Sequence, residues 1–271
     1  MTETLAAGDA EVTIDHQSGG RLSSFRLGGH ELLAGPGVAE RDPGDADPTS
    51  WGCFPMAPWA GRIRHGRFEH DGRTVELPRN LPPHAIHGTT HQRSWQRTGP
   101  GVFETDLGPE WPWPGWARQA VELTAGRLSM TLTVGVDGEA ADAMPVSAGW
   151  HPWFRRRVAG ATVALTVPAE RMWRRDADGI PDGTLVEPVP GPWDDCFTAL
   201  VGPVELHWPG LVRLYVESDC EHVVVYDEQE RAVCVEPQSA PPDAHNSGED
   251  LVVVEPGGAW SITTTWLWAE A

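Results

Sequence analysis

Apolar and polar residues alternate with a period of two wherever the chain carries a readable pattern. Val121 and Leu123 alternate with polar residues. After the turn Thr124-Ala125-Gly126-Arg127, so do Leu128, Met130, Leu132, Val134 and Val136. A period of two sends successive side chains to opposite faces, so residues 117–138 read as a hairpin with one buried face. The same pattern predicts short strands over 11–15, 21–27, 73–77, 161–167, 204–207, 212–217, 223–227, 232–235, 251–254 and 260–267. Between them, 25 Pro and 30 Gly punctuate the chain and oppose long helices. Residues 35–50, rich in Gly, Pro and Asp, and 110–116, WPWPGW after Glu110, read as surface loops and not as domain linkers, because strand patterns resume on both sides. The prediction is an all-β fold, one large antiparallel β-sandwich spanning 1–271 as a single domain.

Composition narrows the function. There are 20 basic residues against 39 acidic ones, a formal charge of −19. That balance repels phosphate backbones and anionic lipid, so neither nucleic acid nor a membrane surface is an expected partner. All 20 basic residues are Arg, and the absence of Lys excludes a Walker-A site, a pyridoxal-phosphate Schiff base and a lysine aldolase. The four cysteines form no CxxC pair, which removes zinc-ribbon and thioredoxin readings and fits a reducing compartment. The start of the chain lacks a basic and apolar leader, and no run approaches a membrane span, so the expected location is cytoplasmic. Fourteen Trp against two Tyr and six Phe supply large flat faces suited to a core or to stacking on a sugar.

Four stretches place polar groups where the β pattern breaks: Phe54–Arg64 with His65–Phe68 after it, His84–Gly88, Ser147–Arg155 and Val235–Asn246. A strand delivers Glu236 and should stop at Pro237, leaving either a solvated strand-end Glu or a general base in a cleft. His151, between Trp150 and Trp153, is either an aromatic-packed histidine or a proton donor that titrates near neutrality. His84 and His87 have an i, i+3 spacing, but no carboxylate-rich cluster accompanies them, so no metal is expected. No GxSxG elbow or dinucleotide fingerprint is present, and no organic cofactor is expected. Arg62 suits a buried fork for a hydroxyl or carboxylate; Arg155, Arg156 and Arg157 form a second basic run. Asp194 and Asp195 read as turn residues.

Taken in order, FPMAPWAGRIRHGRF, HAIHG, GWHPWF, WDDCF and VEPQSAPPDAHN resemble the aldose 1-epimerases, the galactose mutarotase-like proteins, and GGRLSSFRLGGHELL resembles that family's first hairpin. The resemblance covers nearly the whole chain. It implies a large antiparallel β-sandwich with Glu236 as general base, His151 as general acid, and Arg62, His87 and Asp194 as sugar-binding residues. Asp195 is a second candidate for the Asp role. Gly61 departs from the family, which often has Asn there, and this puts one sugar-hydroxyl contact in question.

The implied reaction interconverts the α and β anomers of an aldohexose by acid/base ring opening and closure, with a monosaccharide as substrate and with specificity in loops such as 35–50 and 110–116. Trp59, Trp150 and Trp153 are candidates for packing on the sugar. Two alternatives stand beside it. The Arg stripes, through Arg62, Arg64 or Arg155, could select an anionic sugar, a hexose 6-phosphate or a sulfosugar. Alternatively, the domain could be a non-catalytic carbohydrate-binding β-sandwich, which would not require a carboxylate–imidazole pair.

Overall fold

The computed structural model describes residues 1–38 and 47–270, and nearly all of its regular structure is β. Two antiparallel sheets account for most of it. The larger runs from Thr2–Ala7 through Ala10–Asp15, Arg21–Leu27, Cys53–Met56, Gly149–Arg155, Ala232–Gln238, His222–Tyr226, Asp194–Leu200 and Ala169–Arg175 to Pro181–Val186. The smaller runs from Gln96–Gly99 through Val102–Asp106, Gly115–Thr124, Arg127–Val136, Ala259–Glu270, Val212–Ser218 and Val204–Trp208 to Ala164–Thr166. The 117–138 hairpin forms as the alternation predicts, with Thr124 paired to Arg127 at its turn.

The sheets face each other across one apolar core. Val12, Ile14 and Phe25 from the larger sheet meet Met130, Leu132 and Trp266 from the smaller. Phe25 and Phe154 both pack on Trp266, at 5.3 and 5.0 Å between ring centroids. Polar bonds also cross this layer: Trp150 Nε1 donates to Gln119 Oε1 at 2.9 Å, Gln119 Nε2 donates to the Gly20 carbonyl at 2.6 Å, and Trp208 Nε1 donates to the Arg155 carbonyl at 3.1 Å. A buried indole N–H needs such a partner, because an orphaned donor in the core is costly.

The outer face of the larger sheet carries the candidate site residues. Along Gly149–Arg155, Trp150 and Phe154 enter the core while His151 and Trp153 turn outward. Along Ala232–Gln238, Val233 and Val235 turn inward, and Glu236 and Gln238 turn outward. Period two therefore sorts packing from function within a single strand.

Several expectations change. Pro237 does not end its strand; pairing to Val223 and then Gln238 to His222 continues past it. On the other side, Gly149 pairs with Gln238 and Trp153 with Cys234, and the ladder is open between them, where Pro237 has no N–H to give. Asp194 and Asp195 open a strand, Asp194–Leu200, and are not turn residues. Half of the predicted 35–50 loop, 39–46, lies outside the described residues; 35–38 and 47–50 are turns, closed by the Val38 N–H to the Gly35 carbonyl at 3.2 Å and by the Ser50 N–H to the Asp47 carbonyl at 3.0 Å. The only α-helix among the described residues is Ala244–Ser247, and no helix is long and apolar enough to cross a membrane.

Candidate active site

A cleft of about 720 Å³ lies over the outward face of the central strands. Glu236, His151, Arg62, His87 and Asp194, the five residues singled out from sequence, all line it. The strand Ala232–Gln238 presents Glu236, and its neighbour Gly149–Arg155 presents His151, where the ladder between the two is open. His151 Nε2 and Glu236 Oε1 are 3.2 Å apart, and both side chains are buried at the cleft base. Gln238, on the same face two residues on, donates from Nε2 to Glu236 Oε2 at 3.2 Å. One carboxyl oxygen is thus held by an amide and the other faces the imidazole.

Aromatic rings fix the imidazole. His151 stacks on Phe54 at 4.8 Å and on Trp153 at 5.2 Å, and meets the His87 ring edge-to-face at 4.7 Å. His87 reaches the cleft from the segment after Ala85–Ile86, which pairs with Arg62–Ile63. Its φ of +61° is uncommon for a side-chain-bearing residue. The His87 N–H donates to the Gly61 carbonyl at 3.0 Å, and the His87 carbonyl contacts His91 Nδ1 at 3.1 Å. Arg62 donates to Asp194 Oδ2 and to the Gly179 carbonyl, each at 3.3 Å. Arg175 braces both acids, 3.1 Å from Asp194 Oδ2 and 2.8 Å from Asp195 Oδ1. Strand alternation separates that pair: Asp194 lines the cleft and Asp195 does not.

Burial sets the protonation of the pair. It pushes the Glu236 carboxyl well above the ordinary carboxylate range; Asp194 adds to the rise, while Arg62 and the Gln238 amide oppose it. Burial pushes the His151 imidazole down to about 3, a backbone hydrogen bond opposes the fall, and His91, Arg21 and Arg62 reinforce it. Burial also pushes His87 well below the usual histidine range, reinforced by His151, His91 and Arg62. A low-dielectric base disfavours charge on either member, which favours a carboxylic acid beside a neutral imidazole. Beyond the imidazole's own N–H the pair then shares one titratable proton, and its titration belongs to the pair.

His87, His151 and Glu236 also have donor atoms within 4.8 Å of one another, the nearest approach to a metal-ligating set among the described residues. Within this set His151 Nε2 and Glu236 Oε1 are 3.2 Å apart, a separation suited to a proton donor and acceptor. The residues therefore read first as a proton-sharing set. His84 does not join them; its Nδ1 accepts from the His65 N–H at 3.1 Å.

Trp59 and Trp150 are core residues, and only Trp153 of the three candidate tryptophans lines the cleft. Loop 110–116 contributes no lining residue; Trp111 and Trp113 pack with Phe68 instead. Gly61 lines the cleft at a φ of +66°, and a Cβ there would lie 3.1 Å from Pro242. The space that a side chain would enter is filled by the proline ring. Sequence reasoning assigned no role to Phe54 and Gln238, although both lie in the quoted motifs, and the step of two from Glu236 to Gln238 already marks a shared face. Arg175 carried no sequence signal.

The family profile described as aldose 1-epimerase matches residues 3–198. Two uncharacterised Escherichia coli proteins are similar over most of their length: YphB, 26% identical across 97% of this chain and 99% of its own, and YihR, 27% identical across 95% and 90%. Among solved structures, a putative aldose 1-epimerase from Escherichia coli superposes with a TM-score of 0.84 at 21% identity, covering 100% of this chain and 99% of its own. A galactose mutarotase-like protein from Clostridium acetobutylicum gives 0.85 at 18% identity, covering 99% and 95%. These likenesses extend over the whole sandwich.

Proposed function

Because the chain belongs to the aldose 1-epimerase family, we propose that it interconverts the α and β anomers of a neutral aldohexose, with Glu236 and His151 moving the protons. The observation that carries this reading is the buried contact between His151 Nε2 and Glu236 Oε1, 3.2 Å long, at the base of the cleft. The anomeric oxygen and the ring oxygen share one carbon, so an adjacent donor and acceptor can serve both. Transfer of the shared proton from Glu236 to His151 gives a carboxylate and an imidazolium. Glu236 then takes the anomeric hydroxyl proton while His151 protonates the ring oxygen. The C1–ring oxygen bond breaks and a carbonyl forms at C1. This leaves Glu236 protonated and His151 neutral, the distribution that burial favours. Rotation about C1–C2 and the reverse transfers close the ring on the other face. Each positioned transfer is worth about 10²–10⁴-fold. Arg62, His87 and Asp194 would hold ring hydroxyls and so fix both reacting oxygens.

Charge around the cleft favours a neutral sugar over an anionic one. Arg64 is engaged by Asp176, Asp178 and Asp243. Arg155 donates to the Leu33 carbonyl, and neither it nor Arg64 lines the cleft. Among the described residues, Arg62 is the one Arg in the lining, already paired with Asp194, and Asp47 and Glu228 line the same space. A phosphate or sulfonate would meet these carboxylates without a free guanidinium fork among the described residues. A purely binding role is also less well supported, because the Trp153 face that would stack on a sugar already carries His151. The test is a substrate panel followed by polarimetry: glucose and galactose against glucose 6-phosphate and sulfoquinovose. Neutral sugars should show the higher kcat/KM, and a large preference for either anion would overturn the assignment.

A further inference from the structure

The ring stack at the cleft base continues into the core and ends on a buried cation. Trp153, His151 and Phe54 lie in sequence, and the Arg21 guanidinium lies beyond Phe54, 5.3 Å from its centroid and 4.1 Å from that of Trp51. Arg21 is 1% exposed. Its Nε donates to the Ser18 carbonyl at 2.6 Å, and its two terminal nitrogens donate to the carbonyls of Trp51 at 2.9 Å and His91 at 3.3 Å. No ion pair of Arg21 is present among the described residues, and Asp15 and Asp47 act on it electrostatically. Burial lowers it to about 10, so it remains a cation at neutral pH.

A buried charge with no counter-ion among the described residues is expensive, and packing alone would be served by an apolar side chain. The surroundings are shaped to accept it. A Cβ on Gly19 would sit 1.9 Å from the His91 oxygen that Arg21 binds, so Gly19 is what lets that carbonyl approach. His91 in turn contacts the His87 carbonyl through Nδ1 and packs on Phe54 at 5.4 Å. Both cleft imidazoles are therefore supported through groups that Arg21 holds.

We propose that Arg21 is a positioning residue for the proton-transferring pair: a permanent cation behind Phe54 that seats the His87 and His151 rings and opposes entry of a second proton at the cleft base. This rests on the acid–base reading of His151 and Glu236. The charged and titratable groups facing His151 are Glu236, His87, His91, Arg62 and Arg21; those facing Glu236 also include Asp194 and the buried thiols of Cys196 and Cys234. The two ring separations put the guanidinium within about 10 Å of the imidazole. At an effective dielectric near 20, a unit charge at about that distance shifts a titration by about one pH unit.

The test uses the full chain with Arg21→Gln and Arg21→Met, each checked for folding by circular dichroism. Two quantities are read: the pH profile of kcat/KM for anomer exchange, and the ¹⁵N NMR titration of the His151 ring. Loss of the cation should move both limbs of the profile, and the His151 midpoint, upward by about one pH unit. A fall in kcat with unmoved limbs and midpoint would reduce Arg21 to a structural role and overturn the proposal. Arg21→Lys keeps the charge and loses the fork, and decides the matter if neither neutral variant folds. Limbs in place with a lower kcat support the proposal, and limbs that move overturn it. The NMR midpoint requires no turnover, so a failure of the epimerase reading is distinguishable from a failure of this one.

Discussion

The carboxyl of Glu236 and the imidazole of His151 hold one proton between them because neither is easily charged where it sits. The acid limb of activity is the entry of a second proton, which would create a buried imidazolium beside an uncharged carboxyl. Since burial lowers the His151 imidazole to about 3, that limb should lie well below the ordinary histidine value of about 6.5. We expect kcat/KM to stay level as pH falls from 7.5 to 5.5; a decline with a midpoint near 6.5 would show an imidazole titrating in water. Gly61 gives a second residue-scale prediction. Gly61→Asn must adopt a positive φ and displace the Pro242 ring, and should cost about 1–2 kcal/mol of stability. A lower urea midpoint checks this, and an unchanged one would mean that Pro242 yields freely. The five candidate site residues, which line one cleft, were legible because each lies in a short motif and the motifs occur in family order. Their burial was not. Pro237 suggested a strand end open to solvent, whereas the missing N–H falls in the open stretch of ladder beside His151.

At the scale of the strand, the hairpin 117–138 was readable because one face is apolar and the other is not. The central strands of the larger sheet are covered on both sides: all seven residues of Ala232–Gln238 are buried, as are six of the seven in Gly149–Arg155. Their outward positions carry His, Glu, Gln and Trp, so the apolar–polar alternation is partly erased, and Pro152 further disguises the second strand. Thr2–Ala7, at the sheet edge with none of its residues fully buried, gave no pattern to read. The Gln119 bond between sheets supplies a prediction at this scale. Gln119→Leu leaves the Trp150 N–H and the Gly20 carbonyl without their partner, at a cost of about 1–3 kcal/mol. Because Trp150 is adjacent to His151, kcat should fall along with the urea midpoint. Unchanged stability would mean that both groups find other partners.

Across the whole molecule, the net charge of −19 and the acidic cleft rim act in the same direction, and the larger sheet serves as a platform whose inner face supplies stability and whose outer face supplies chemistry. The class of fold follows from the period of two; the pairing order of its strands does not, because neighbours such as Cys53–Met56 and Gly149–Arg155 are nearly a hundred residues apart. The central claim is that proton transfer by Glu236 accelerates anomer exchange. Its most direct measurement is the initial rate of optical rotation change in freshly dissolved α-glucose or α-galactose, with the wild-type chain and with folded Glu236→Gln. The wild type should accelerate exchange, and Glu236→Gln should lose at least about 10²-fold of that acceleration while keeping its circular dichroism spectrum. A folded Glu236→Gln protein that exchanges anomers at close to the wild-type rate would contradict the account.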